Sequence, residues 1–102
     1  MIVKFINLEI EKFIHSLEKQ TIAKVLKTID LLEIFGNKLN MPHSKKINRD
    51  LFELRIRGTQ EIRILYVFYK HEALLLHGFV KKSQRVPKKE IIKALEKFKR
   101  LT

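Results

Sequence analysis

Arginine side chains in strand-like segments are the groups of this chain best suited to chemistry. Arg63 lies between apolar residues, and Arg55 and Arg57 alternate with apolar residues in the preceding segment. A guanidinium is planar, permanently charged and forked, so it can hold a phosphate group through two hydrogen bonds. The pattern predicts a preorganised phosphate site at Arg63, with Arg55 beside it. The alternative for Arg63 is a structural ion pair with Glu53 or Glu61, because a buried arginine needs a partner.

Two basic segments flank these arginines. Residues 42–46 precede the first strand-like segment, and residues 81–85 follow the last one. Lysine runs are often no more than solvated surface, but Lys81 and Lys82 leave the end of a central strand and are the better candidates for binding. The amide of Gln84 could bond a base or a ribose. The candidate binding residues are Lys45, Lys46, Arg57, Lys81, Lys82, Gln84 and Arg85.

Three further side chains could transfer protons. Tyr66 is either a core aromatic or a stacking or proton-transfer group. His43 lies in a basic loop, and a histidine side chain can donate or accept a proton near pH 7, although most loop histidines have no such role. His77 lies within a strand-like segment, where a histidine that is hydrogen-bonded inside the sheet is the expected interpretation.

Several kinds of catalytic site are missing from the sequence. The chain has no cysteine, no carboxylate or histidine cluster at metal-ligand spacing, and no glycine-rich phosphate loop. A nuclease of this composition is expected to need neither metal nor cofactor. RNA permits such a reaction because its 2′-hydroxyl is an internal nucleophile, which the protein need only orient while it stabilises the charged phosphorane. The same cluster would bind DNA without cutting it.

The net charge also indicates a polyanionic partner. Lysine and arginine number 22 against 11 aspartate and glutamate residues, a net charge of +11. Residues 1–37 are neutral, with five cations and five anions, so the whole excess lies in residues 38–102. A positive field of this size speeds encounter with nucleic acid, an acidic protein or an anionic membrane. The alternative is a chain that is rich in lysine only for solubility.

The length of 102 residues fits a single domain, taken as residues 1–102. No apolar run approaches the roughly 18 residues that span a membrane, and residues 1–6 are too short for a signal peptide, so a cytoplasmic location is expected.

The periodicity predicts an α+β fold with the element order (β)ααβββα, in which an N-terminal helix hairpin and a C-terminal helix pack on a mainly antiparallel sheet. The first of the three consecutive predicted strands, at 51–57, has one covered face (Phe52, Leu54, Ile56) and one partly open, charged face. The predicted elements are an edge strand at 2–6, a helix capped by Asn7, a helix at 22–35 ended by Gly36, a loop at 37–50, strands at 51–57, 61–69 and 73–80, and a helix after Pro87 whose apolar stripe is Ile91, Ala94, Leu95, Phe98 and Leu101.

The chain resembles the RelE/ParE toxin superfamily, and within it the HigB-type branch of phage-related toxins, over nearly its whole length. The resemblance rests on four segments in this order: Pro42-x-Ser44-Lys45-Lys46, Leu51-Phe52-Glu53-Leu54-Arg55, Arg63-Ile64-Leu65-Tyr66 and Leu76-His77-Gly78-Phe79-x-Lys81-Lys82-x-Gln84-x-x-Pro87. A basic amphipathic helix follows them. No single segment is specific, but their order at this chain length is typical of the family and of its RelE-like fold.

The resemblance implies the toxin of a toxin–antitoxin pair. HigB-type and RelE-type members cleave mRNA on the ribosome through the 2′-hydroxyl, and the HigB-type antitoxin is typically a helix-turn-helix protein of the HigA type. By position, Arg63 corresponds to the strand arginine that binds the scissile phosphate, Arg55 to a neighbouring cation, and Lys82 to an arginine after the last central strand. Lys45 and Lys46 match loop cations of this branch. The implied catalytic set is Arg63, Arg55 and Lys82, with Tyr66 and His43 as candidates for proton transfer.

One feature departs from the family pattern. RelE-type toxins carry a C-terminal tyrosine implicated in proton transfer, whereas no tyrosine follows Tyr69 here. Tyr66, His43 and Gln84 are the replacements considered. Three other functions stay open at this point: a ParE-like inhibitor of DNA gyrase, a nucleic-acid-binding module without catalysis, and an inactive toxin that still binds its antitoxin.

Overall fold

The structure is a computed structural model that describes residues 1–101. Its helices and strands follow one another in the predicted order, with one additional strand. They are β1 (Ile2–Phe5), α1 (Leu8–His15), α2 (Lys19–Phe35), β2 (Ser44–Lys46), β3 (Phe52–Ile56), β4 (Ile62–Tyr69), β5 (Glu72–Val80) and α3 (Lys88–Leu101), with a 3₁₀ turn at Gly36–Lys38.

The five strands form one mixed sheet in the order β1-β5-β4-β3-β2. The edge strand β1 runs parallel to β5, and the other neighbouring strands are antiparallel, which confirms the predicted fold class. The prediction of a plain loop at 37–50 was wrong, because β2 lies within it and pairs with β3. Residues 44–46 carry no apolar alternation that could have revealed this strand.

The ends of the first two helices are set by the residues that the sequence indicated. The side chain of Asn7 accepts a hydrogen bond from the amide of Ile10 at 3.3 Å and caps α1. Gly36 ends α2 with a φ of 54°, a conformation that favours glycine. The helix hairpin is therefore confirmed.

Helices cover both faces of the sheet and divide the core in two. The α1–α2 face contains Leu54, Ile56, Ile64, Tyr66 and Leu75, and the α3 face contains Leu51, Leu65, Val67, Leu76 and Ala94. Because β4 contributes to both clusters, it is buried on both sides, as predicted for a central strand. Within the predicted apolar stripe of α3, Ala94 is buried, but Leu95 and Leu101 are 39% and 50% exposed.

The second face of β3 is closed at its centre and open at its end, in agreement with the predicted partly open, charged face. Glu53 is 2% exposed and the side chain of Arg55 13% exposed, whereas the side chain of Arg57 is 64% exposed. None of the helices in residues 1–101 is long and apolar enough to cross a membrane.

Candidate functional site

The strand register brings charged residues from three strands to one face of the sheet. Arg55 of β3 lies opposite Arg63 of β4, and Lys45 of β2 lies opposite Glu53 of β3. Directly paired residues point to the same face, and alternate residues of a strand do so too. Lys45, Glu53, Arg55 and Arg63 therefore share the face that α3 partly covers.

Glu53 is the anion at the centre of this group. Its Oε1 atom lies 3.8 Å from the Nε atom of Arg55 and 3.8 Å from the Nε atom of Arg63. Three buried atoms here have no hydrogen-bond partner, namely Glu53 Oε2, Arg55 Nε and Arg63 Nε. A buried carboxylate held near two cations but incompletely hydrogen-bonded is costly to the fold, and such costs are concentrated at functional sites.

Arg63 is fixed by several contacts and is only 2% exposed. Its Nη1 donates to the carbonyl of Ile62 at 2.9 Å, and its Nη2 donates to Glu61 Oε1 at 3.2 Å. The ion-pair alternative raised from the sequence is thus present in the structure. A phosphate-binding role for Arg63 stays a prediction, and it requires an anion to approach the guanidinium past Glu61, whose side chain is 35% exposed.

A cleft of about 360 Å³ opens above these arginines, at the ends of β3, β4 and β5. We call it the arginine cleft. Its walls hold five cationic residues against one carboxylate, so it favours an anion. The lining residues are Arg55, Arg57, Glu61, Arg63, Lys81, Lys82, Ser83 and Gln84.

Lys81 is the lysine of this cleft whose surroundings alter its chemistry. Partial burial lowers the pKa of its ammonium group, the cation of Arg63 lowers it further, and the carboxylate of Glu53 opposes both effects. The backbone amide of Lys81 donates to the carbonyl of Glu61 at 2.7 Å, which fixes the start of the segment. Lys82, the next residue, is exposed. The resemblance placed Lys82 in the catalytic set and Lys81 only among the binding residues, whereas in the structure Lys81 is the lysine that is partly buried beside Arg63.

Glu61 stays ionised more readily than an ordinary glutamate. Burial alone would raise the pKa of its carboxyl group, but hydrogen bonds from the Gly58 amide and Arg63, with the cations of Arg63 and Arg57, lower that pKa overall. Glu61 therefore holds Arg63 in place from the solvent side of the cleft.

Two of the predicted site residues point to the opposite face of the sheet. Tyr66 is buried among apolar side chains there, with its hydroxyl 2.5 Å from the Ser44 hydroxyl, and burial raises its pKa although the Ser44 hydrogen bond opposes the rise. Lys46 pairs with Phe52 on that face and lies 5.9 Å from its ring centre. The structure does not bring these two side chains to Arg63.

His43 and Arg85 also lie outside the arginine cleft. His43 lines a second cavity, of about 260 Å³, beside α2, and Arg85 is exposed without lining either cavity. The two cavities share Arg55 and Arg57 in their walls.

His77 performs the structural role expected of it. Its Nε2 atom lies 2.8 Å from Glu90 Oε1 and its Nδ1 atom 3.2 Å from Lys97 Nζ, both of them on α3. These contacts fasten α3 to β5, so the interpretation of His77 as a satisfied sheet histidine is confirmed.

Glu53 is the residue that sequence reasoning undervalued. It was considered only as a partner for Arg63, whereas it lies between two arginines and acts on Lys81. Its alternation with Arg55 on the predicted charged face was the available signal. Within residues 1–101 no group of three or more histidine, aspartate or glutamate side chains is placed to hold a metal ion.

Comparison with known proteins gives two matches. A family model described as phage-derived Gp49-like protein matches residues 12–99. A protein of Mycobacterium tuberculosis (strain ATCC 25618 / H37Rv), named "Putative toxin HigB3", is 39% identical over 75 residues, which are 69% of this chain. The chain spans about 65% of the length of that relative. The two matches confirm the resemblance to HigB-type chains.

Proposed function

This chain belongs to the family of phage-derived Gp49-like proteins, and from that premise we propose that it is the toxin of a toxin–antitoxin pair. Its activity in this proposal is cleavage of mRNA on the ribosome, without a metal ion. Its partner is a cognate antitoxin of the helix-turn-helix, HigA type. The similarity to a M. tuberculosis protein named as a putative toxin supports the proposal that this chain is a toxin.

The arginine cleft is the observation that carries the catalytic part of the proposal. It combines five cations with a floor made of paired strands, so its charges need little rearrangement when a phosphate binds. The proposed phosphate ligands are Lys82 and Arg57 at the exposed rim. Arg55 and Arg63 supply fixed positive charge from the floor.

The reaction proceeds by attack of the RNA 2′-oxygen on the adjacent phosphorus. The 2′-oxygen–phosphorus bond forms and the bond from phosphorus to the 5′-oxygen of the next nucleotide breaks, which leaves a 2′,3′-cyclic phosphate and a 5′-hydroxyl. A base takes the proton of the 2′-hydroxyl, and the departing 5′-oxygen receives a proton. Cations around the phosphate stabilise the extra negative charge of the phosphorane.

Lys81 is the proposed base. It lines the cleft beside Arg63, and its lowered pKa increases the fraction of neutral amine that can accept a proton near neutral pH. In this proposal Lys81 has the proton-transfer role that the resemblance gives to a tyrosine in RelE-type toxins. Lys82, exposed and charged, is the proposed donor to the 5′-oxygen.

Primer extension on a defined mRNA, after incubation with programmed ribosomes, tests the proposal. Wild-type protein is expected to give discrete stops that require the ribosome, and folded Arg63→Ala protein is expected to give none. Circular dichroism and thermal melting of Arg63→Ala establish that the variant is folded. Absence of stops with wild-type protein that arrests growth would reject the nuclease.

Binding without cleavage is the second candidate, and the contacts of Arg63 favour it. Because Glu61 and the Ile62 carbonyl already bond this guanidinium, the cleft could act as a purely electrostatic surface. A ParE-like inhibitor of DNA gyrase would use such a surface. A supercoiling assay with purified gyrase separates the two functions, since only the inhibitor would block supercoiling while leaving mRNA intact.

A further inference from the structure

The cavity that His43 lines lies between α2 and the end of β3, and we call it the α2 cavity. Its volume is about 260 Å³. Small-molecule sites usually begin at roughly 300 Å³, so the cavity is slightly smaller than the smallest typical site. It is large enough for one small organic group and too small for a protein helix. The lining residues are Lys24, Lys27, Thr28, Leu31, Pro42, His43, Arg55, Ile56 and Arg57.

The cavity combines apolar walls with a cationic rim. Leu31, Pro42 and Ile56 offer flat or aliphatic surface, and the His43 ring adds both a face for stacking and a hydrogen-bonding edge. Lys24 and Lys27 come from α2, which belongs to the stretch 1–37 that has no net charge. Apolar contact for a ring beside cations for its phosphates is the combination that single-stranded nucleic acid requires.

The cavity also continues the arginine cleft. Arg55 and Arg57 line both, so the two hollows lie on either side of the end of β3. An extended polyanion that enters one hollow meets the same two arginines as it passes to the other. An acidic protein segment would use the cations but would gain less from the apolar walls.

Lys24 is held at the mouth of the cavity. Its Nζ atom donates to the carbonyl of Arg57 at 3.4 Å. That atom lies 2.6 Å from where a Cβ at Gly58 would stand, so the absence of a side chain at Gly58 leaves room for the ammonium group.

We propose that the α2 cavity is a nucleotide subsite, which holds the base and ribose of the nucleotide adjoining the phosphate in the arginine cleft. This inference rests on the proposed function, because it assigns that phosphate to RNA. It adds residues of α2 to an interface that the charge distribution had confined to residues 38–102.

The test measures binding of a fluorescent trinucleotide whose 2′-deoxy sugars prevent cleavage. A matched trinucleotide that lacks one terminal base is the reference ligand. Wild-type protein is expected to prefer the complete trinucleotide by roughly fivefold or more, as for one stacked base. Leu31→Trp, which fills the cavity, is expected to remove that preference, so that the complete and the abasic ligand bind with equal affinity.

Charge removal at the rim gives a second, independent variant. Lys27→Gln is expected to weaken both ligands by a similar factor, whereas Lys89→Gln on α3, outside both cavities, is expected to change neither. Thermal melting of each variant shows whether it is folded. If folded Leu31→Trp keeps the full base preference, the subsite is rejected, and if that variant fails to fold, unchanged binding by Lys27→Gln rejects it instead.

Two further results separate this inference from the proposed function. Base-dependent binding without any cleavage on ribosomes would overturn the nuclease and keep the subsite. Unchanged cleavage rate and positions in Leu31→Trp would overturn the subsite and keep the nuclease. An acidic Glu-Leu decapeptide that binds wild type but not Leu31→Trp, with RNA affinity equal in both proteins, would assign the cavity to a protein partner and overturn the proposal.

Discussion

Arg55 and Arg63 lie directly opposite each other on neighbouring strands, and a single oxygen of Glu53 is 3.8 Å from the Nε atom of each. Like charges in directly opposed positions repel, and burial strengthens the repulsion. Glu53 therefore makes it possible for two guanidinium groups to occupy the floor of one cleft. The arrangement keeps a net positive charge in place before any ligand binds.

Loss of the Glu53 charge is expected to destabilise the fold. Glu53→Gln keeps the shape of the side chain but leaves two buried cations without their shared anion, so we expect a loss of about 3 kcal/mol or more in the free energy of unfolding. Urea unfolding at pH 7 measures it. Glu96→Gln on the exposed side of α3 is the matched control. Equal stability of wild type and Glu53→Gln would show that Glu53 is not the compensating charge.

The same substitution is expected to shift the pH dependence of cleavage. Glu53 raises the pKa of Lys81, against the larger lowering effects of burial and Arg63. Without the carboxylate the pKa of Lys81 falls further, so the neutral amine forms at lower pH. The rising limb of the single-turnover rate should therefore move to lower pH in Glu53→Gln. A limb that stays in place, in protein shown to be folded, would remove Lys81 as the base.

Tyr66 provides a test between a structural and a catalytic hydroxyl. Tyr66→Phe removes the partner of the buried Ser44 hydroxyl, and we expect a loss of about 1–2 kcal/mol in stability. Cleavage should be unchanged within twofold, because the Tyr66 ring lies on the face of the sheet opposite Arg63. Activity reduced a hundredfold in folded Tyr66→Phe would return this residue to the catalytic set.

The predicted elements and the predicted site depended on different kinds of information. The helices and the central strands could be predicted because their signals are local. These signals are the alternation in β3, the apolar residues on both sides of β4 and the glycine at position 36. The strand β2 was not predicted, because this three-residue edge strand (Ser44, Lys45 and Lys46) owes its conformation to pairing with β3. Its polar sequence is equally typical of a loop.

Which side chains lie together in the site could be known only from the strand register. Arg63, Arg55 and Lys81 were identifiable as cations near strand ends, but their common face with Glu53 depends on which residues are paired across β3 and β4. Tyr66 is three residues from Arg63, an odd number, and the continuous pairing of β4 with β3 places it on the other face, although the pairing of β4 with β5 shifts between Leu65 and Tyr66. The roles of individual side chains thus depended on long-range pairing that residue types alone do not specify.

Glu61 is expected to contribute to stability in a pH-dependent way. Its pKa is lowered in the folded protein, so its contribution is present above the unfolded pKa and is lost as the pH falls through the folded value. Glu61→Gln should therefore lower the melting temperature at pH 7 by a few degrees and have a smaller effect near pH 3. Differential scanning calorimetry at both pH values measures this. An equal effect at both values would show that Glu61 acts through packing rather than charge.

Lys82 and Lys88 distinguish a localised site from diffuse charge. Both are exposed lysines near the end of the chain, but only Lys82 lines the arginine cleft. Lys82→Ala is expected to reduce ribosome-dependent cleavage by about tenfold or more, as for a group that stabilises the transition state. Lys88→Ala should reduce it by less than about threefold, through the weaker overall field. Primer-extension rates at fixed ionic strength compare the two variants, and equal losses would mean that the positive charge acts as a whole.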